Sequence, residues 1–171
     1  MTRLQRLLRC CTALFLVLAT AFSGWGQDGD KALRAEADAL FEKGAYAKAY
    51  PLFSQLVSLA PQDHELNFKL GACTIFGGDD KTKAAGYLKF ALAGPATSGL
   101  AWYFLGRAYQ LDYRFNEALD AYKHFRGTGD KKLLARFPVD ALEQQCRNGL
   151  HLLSNLKDIQ VMNKVEVDAS D

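Results

Sequence analysis

The sequence lacks an excess of either charge. Its 21 lysine and arginine residues nearly balance its 19 aspartate and glutamate residues, which leaves a net charge of +2 over 171 residues. Three basic residues and no acidic residue fall within residues 1–26, so the rest of the chain has 18 basic and 19 acidic residues. This balance predicts neither a nucleic-acid partner nor a polybasic membrane patch.

The sequence also lacks an apolar run long enough to form a membrane span near its N-terminus. The apolar segment 12–22 has 11 residues, whereas a spanning helix needs about 20. It follows three arginines and precedes Ser23, Gly24 and Gly26, which is the order of a secretory signal peptide. We therefore predict a signal peptide at 1–26, cleaved before Gln27 or alternatively after Ser23, and an exported chain with no transmembrane span after cleavage. An uncleaved anchor is the remaining alternative.

The sequence has few residues that could form a catalytic or metal-binding site. His64, His124 and His151 lie far apart in sequence, and none has a cysteine, carboxylate or second histidine at metal-ligand spacing. No serine or cysteine has the sequence context of a nucleophile, and no glycine-rich loop lies between a strand and a helix. We predict no metal, no cofactor and no enzymatic activity.

What the sequence does contain is a helical pattern repeated along the chain. Around a polar turn at 112–114, apolar residues recur at spacings of three and four, which predicts two amphipathic helices in a hairpin. The residues of this pattern are Trp102, Leu105, Gly106, Tyr109, Ala118, Tyr122 and Phe125. Gly106 and Ala118 would allow close helix contact, and the large residues would fill the space around it.

Two positions of this hairpin recur upstream at a constant period. Gly106 corresponds to Gly71 and Ala37, at spacings of 35 and 34 residues. Ala118 corresponds in the same way to Ala84 and Ala49. At this period the residues follow the order tryptophan, leucine-glycine, tyrosine, alanine and aromatic residue. This order resembles the tetratricopeptide repeat.

This resemblance implies an all-α fold, a right-handed superhelical stack of three helical hairpins. We predict a repeat domain at 27–156, with repeats at about 31–62, 63–96 and 97–127, the first helix being capped by Asp28 and Asp30. A polar loop at 127–132 and a capping helix at about 137–154 follow. Beyond it, β-branched residues alternate with polar ones from Ile159 to Val167, which predicts a short extended tail at 157–171 or the start of a β domain.

The cysteines support the same arrangement. Cys10 and Cys11 precede the apolar run, whereas a lipidated cysteine follows it, so both would be removed with the signal peptide. Cys73 and Cys146 belong to different layers of the stack, about 10 Å apart, whereas a disulfide needs Cα atoms within about 7 Å. We predict two buried free thiols.

A stack of hairpins has a concave face lined by the first helix of each repeat. The repeat pattern places nine candidate residues of a peptide-binding groove there: Arg34, Asp38, Phe41, Phe68, Ala72, Ile75, Tyr103, Arg107 and Gln110. Exposed aromatic and aliphatic residues in line would suit an extended peptide. The alternative is that some of them pack against neighbouring hairpins or the capping helix. Trp102, Leu105, Tyr109 and Tyr122 are predicted to be scaffold residues.

A narrower resemblance rests on the run LGRAYQLDYRFNEALDAYKHF, on QQCRNGLHLL and on the ending VEVDASD. Together with the signal peptide, these are similar to the N-terminal region of Gram-negative envelope proteins with type IX secretion. In those proteins the repeats precede a WD40-like propeller and an OmpA-type peptidoglycan-binding domain.

The resemblance implies a periplasmic location, with association with the outer membrane as the alternative. The expected function is a non-catalytic adaptor for a protein or peptide partner. The alternative is a spacer module of a larger OmpA-family protein, whose peptidoglycan association would require domains beyond this sequence.

Overall fold

Helices form three hairpins and a C-terminal pair in the computed structural model, which describes residues 23–95 and 98–168, with side chains at 29–95 and 98–156. The helices are α1 (Ser23–Glu42), α2 (Tyr46–Leu59), α3 (His64–Gly77), α4 (Lys83–Leu92), α5 (Leu100–Leu111), α6 (Phe115–Gly127), α7 (Lys131–Arg136) and α8 (Asp140–Asp168). The described residues contain no strand. The prediction of an all-α stack is confirmed.

Local sequence signals mark several of the turns and helix ends. Gly44 ends α1 with a φ of +72°, which glycine adopts without strain. The side chain of Asp63 caps α3 by accepting hydrogen bonds from the backbone N–H groups of Glu65 and Leu66 at 2.9 and 3.0 Å. At the α5–α6 turn Tyr113 takes a left-handed conformation with φ +56°, so the chain reverses within the predicted polar turn.

The hairpins stack in chain order. Besides the helix pairs within each hairpin, α2 packs on α3, α4 packs on α5, and α3 contacts α5. The predicted small residues Ala37, Ala49, Ala84 and Ala118 are fully buried. At Gly106 an added Cβ would lie 2.4 Å from Tyr122 Cε1, so only glycine allows α5 to approach α6 this closely.

The start of α1 differs from the prediction. The helix runs through Asp28 and Asp30 from Ser23, so neither aspartate is its cap. One glycine inside a helix costs about 1 kcal/mol, which is too little for Gly29 to end a helix that packs on α2. Residues 1–22 lie outside the described residues.

The C-terminal region differs more. Part of the loop predicted at 127–132 belongs to α7, and the helix predicted from 137 begins at Asp140. Pro138 disfavours helical geometry at the residue before it, and Phe137 accordingly has φ −124° and ψ 71°. The extended tail predicted at 157–171 is wrong as far as Asp168, because α8 continues to that residue. A helix satisfies its backbone hydrogen bonds internally, whereas a lone strand leaves them unpaired.

None of the helices in these described ranges combines the length and apolar character needed to cross a membrane.

Candidate functional site

Four of the nine predicted groove residues lie in the core. Phe41, Phe68, Ala72 and Ile75 are each at most 5% exposed. The expectation that Phe68 and Ile75 form an exposed apolar groove is therefore wrong. The alternative stated with it, that groove positions pack against neighbouring elements, applies to these residues.

An aromatic cluster accounts for this burial. Phe104 on α5 lies at its centre and is 1% exposed. Its ring centroid is 6.4 Å from that of Phe41 and 6.3 Å from that of Phe68, so one cluster joins the first helices of all three repeats. Tyr46 on α2 adds an edge contact to Phe104 at 5.5 Å. The concave face is thus filled by side chains of the array itself.

A segment of the chain beyond the third hairpin covers this cluster. Phe137, directly after α7, places its ring 5.0 Å from Tyr103 and 6.2 Å from Phe104. Arg136 Nη2 donates a hydrogen bond of 3.4 Å to the backbone carbonyl of Glu42, the last residue of α1. The half-buried Tyr103 has its pKa raised, chiefly by this burial. Residues 131–139, which we call the covering segment, therefore reach from the third repeat back to the first.

Arg107 and Gln110 are engaged with α6 and α8. Gln110 Oε1 accepts hydrogen bonds from Tyr122 Oη at 3.0 Å and from Arg107 Nη1 at 3.3 Å. Its Nε2 donates to Gln145 Oε1 on α8 at 2.9 Å. These hydrogen bonds connect α8 to the C-terminal end of α5. They also leave less of the Gln110 side chain accessible to a partner protein.

Arg34 and Asp38, both on α1, are partly exposed and carry charge. Arg34 pairs with Asp63 at 3.3 Å and with Glu65 at 3.4 Å. Lys69 pairs with Asp38 at 2.8 Å and with Glu65 at 2.7 Å. We call these five residues the charged strip. Burial alone would lower the pKa of Lys69, but its hydrogen bonds to Asp38 and Glu65 outweigh that effect and raise it.

A second surface feature is a cleft of about 420 Å³ between α4 and α6, with α5 as its floor. Trp102 lines it and stacks on His124 at a centroid distance of 4.3 Å. Leu105 and Tyr109, also in the lining, are otherwise buried, as is Tyr122. Burial confirms that Leu105, Tyr109 and Tyr122 are scaffold residues, whereas Trp102 is half-exposed at the cleft.

Cys73 and Cys146 are both buried and free, as predicted. Burial raises the pKa of the Cys73 thiol to about 12, so it is protonated at neutral pH. Within the described residues no three histidine, cysteine or carboxylate side chains are placed to hold a metal ion.

The sequence pattern does not predict the covering segment, because α7 has only six residues. A signal for it exists in Asp130 followed by Leu133 and Leu134, a capping residue before an apolar pair. Asp130 caps α7 through the backbone N–H groups of Lys132 and Leu133 at 2.9 and 3.1 Å. The sequence pattern does not indicate which surface of the array this short helix packs against.

Comparison with solved structures identifies the fold. The chain is similar to the crystal structure of the Sgt2 TPR domain from Aspergillus fumigatus, with a TM-score of 0.52 and 21% sequence identity, over 76% of this chain and 82% of that one. No family model matches the chain, and no curated protein matches it. The fold is therefore that of a tetratricopeptide repeat array.

Proposed function

We propose that this chain is a non-catalytic protein-interaction adaptor, exported to the envelope of a Gram-negative bacterium. The observation that carries the proposal is the concave face of the three-hairpin array, where the charged strip stays accessible beside the covered aromatic cluster. Export is supported by the sequence of residues 1–26 alone. Cleavage before Gln27 would remove the first turn of α1 and leave all the buried residues among those whose side chains the structure describes, which begin with Ala37.

The charged strip is suited to exchanging partners. Arg34 and Asp38 have side chains 38% and 37% exposed, and Glu65 is 59% exposed. Lys69 is only 13% exposed, so the figure for exposed ion pairs, about 0–1 kcal/mol each, applies to the two pairs of Arg34, which cost little to open. A polar or charged segment of a partner protein can therefore replace the internal pairs with its own.

The test is recovery of partners by the full chain, produced with its own residues 1–26 and purified from the periplasm. In one variant Arg34→Glu is combined with Glu65→Arg, which retains the pair between these two positions with its ends exchanged but places like charges beside Asp63 and Lys69. In the matched control Glu36→Lys is combined with Lys48→Glu, both exposed residues outside the strip. Neither double variant changes the net charge.

We expect the strip variant to recover a specific envelope protein at about one tenth of the wild-type amount or less, and the control to match wild type. Equal recovery by both variants would remove the strip from the proposal. Recovery of the chain from the cytoplasm with residues 1–26 intact would contradict its export.

A second candidate function is a spacer module in a larger peptidoglycan-associated protein of the OmpA family. The observation that favours it is a row of exposed leucines on α8: Leu152 is 62%, Leu153 40% and Leu156 55% exposed. A following domain could cover them. If the reading frame continues beyond Asp171 into propeller-like strand patterns, the spacer function is supported. A stop codon there would exclude it.

A further inference from the structure

The covering segment occupies the face on which a repeat array of this kind would bind a peptide. It contacts that face through three kinds of group. Phe137 packs on the aromatic cluster, Leu133 and Leu134 are half-buried against the core, and Arg136 reaches a carbonyl at the C-terminal end of α1. A cation is favoured at that position, because the last carbonyls of a helix are unpaired and carry partial negative charge.

Helix α7 of the covering segment is held only weakly against the array. None of the six residues of α7, all of them described, is buried, and a helix this short has little stability of its own. On its N-terminal side lies Gly129, with φ +68°, and on its C-terminal side Pro138 precedes the buried Val139. Residues 131–137 could therefore leave the face while the three hairpins keep their own hydrogen bonds and Val139 keeps α8 in place.

On these grounds we propose that residues 131–137 act as an internal ligand of the concave face, and that the partner binding there is a short helix of the same chemistry. Such a helix presents two adjacent leucines, then an arginine and an aromatic residue two and three positions further on. It binds by displacing the internal segment. This inference rests on the proposed adaptor function for its biological meaning, but its physical content is independent of any envelope partner.

Affinity measurements with a peptide test the proposal directly. The probe is a fluorescein-labelled peptide of residues 129–140, GDKKLLARFPVD, titrated with the full chain. In the released variant, Arg136→Ala and Phe137→Ala weaken the internal contacts. In the matched control, Lys131→Ala and Lys132→Ala change two exposed residues of the same helix.

An internal ligand reduces the apparent affinity of the face to the intrinsic affinity multiplied by the fraction of molecules in which the face is open. We therefore expect the released variant to bind the peptide at least about 10-fold more tightly than wild type and the lysine control. A peptide carrying the Phe137→Ala change should not bind. The proposal would be overturned if the released variant kept its helicity but bound the peptide no more tightly than wild type, or if neither protein bound it. This outcome is independent of the envelope pull-down.

Hydrogen exchange of the unmodified chain provides a second test that does not depend on a variant folding. The amides of Leu134 and Phe137 donate within α7 to Asp130 and Leu133. If the segment leaves the face, they should exchange at least about 10-fold faster than the buried amides of α5. Protection equal to that of α5 would show a permanently fixed cover and would overturn the proposal.

Discussion

Phe104→Ala is expected to lower the free energy of unfolding by about 4 kcal/mol. The side chain is 1% exposed and contacts aromatic rings from α1, α2, α3 and the covering segment. Its removal leaves a cavity that three repeats share, and no single helix can move to fill it without losing contacts to another. The measurement is urea unfolding of the full chain, followed by circular dichroism.

Phe76→Ala is the matched control for this substitution. Phe76 is 46% exposed and stacks on Tyr46 at 5.0 Å, so its truncation removes an aromatic contact without opening a cavity. We expect it to cost about 1 kcal/mol. If both variants lost the same stability, Phe104 would not be the centre of the core described above.

Alanine at two helical glycines is expected to change stability in opposite directions. At Gly106 the added Cβ would lie 2.4 Å from Tyr122 Cε1 and 2.6 Å from Cδ1, and the Tyr122 ring is fully buried. We expect Gly106→Ala to cost about 3 kcal/mol. At Gly86 on α4 nothing lies within 4 Å of an added Cβ, so Gly86→Ala should stabilise the chain by about 0.5–1 kcal/mol.

The pair separates packing from helix propensity, because both substitutions improve propensity by the same amount. Thermal unfolding of the two variants beside wild type measures the difference. If both variants were more stable than wild type, α5 and α6 would have to be far enough apart to accommodate a Cβ at position 106 beside Tyr122.

The hairpins could be predicted from sequence because their signals are local and repeated. Gly106, Gly71 and Ala37 share one position in the repeat, and the partner helix of the same hairpin leaves no room for a larger residue at Gly106. The tail could not be predicted in the same way. Alternation of valines near Val165 and Val167 resembles a strand, but with no partner strand in the described residues the helical hydrogen bonds of α8 prevail.

The groove shows a different limit of sequence reasoning. The repeat pattern correctly places Phe41, Phe68 and Tyr103 on the first helices of their hairpins, but it contains nothing about what covers those helices. That depends on a contact between Arg136 and Glu42, which are 94 residues apart. No local period encodes such a contact. Arg34 and Asp38 stay partly exposed, and each is paired with a charged side chain on α3 or directly before it.

The central claim is that the chain covers its own concave face, and nuclear Overhauser contacts between aromatic rings test it most directly. In the full chain with labelled aromatic residues, we expect cross-peaks from the ring protons of Phe137 to those of Tyr103, whose ring centroids are 5.0 Å apart. Cross-peaks between Phe104 and Phe41, within the array, serve as the internal reference. Reference cross-peaks without any from Phe137 would show an open face and contradict the account.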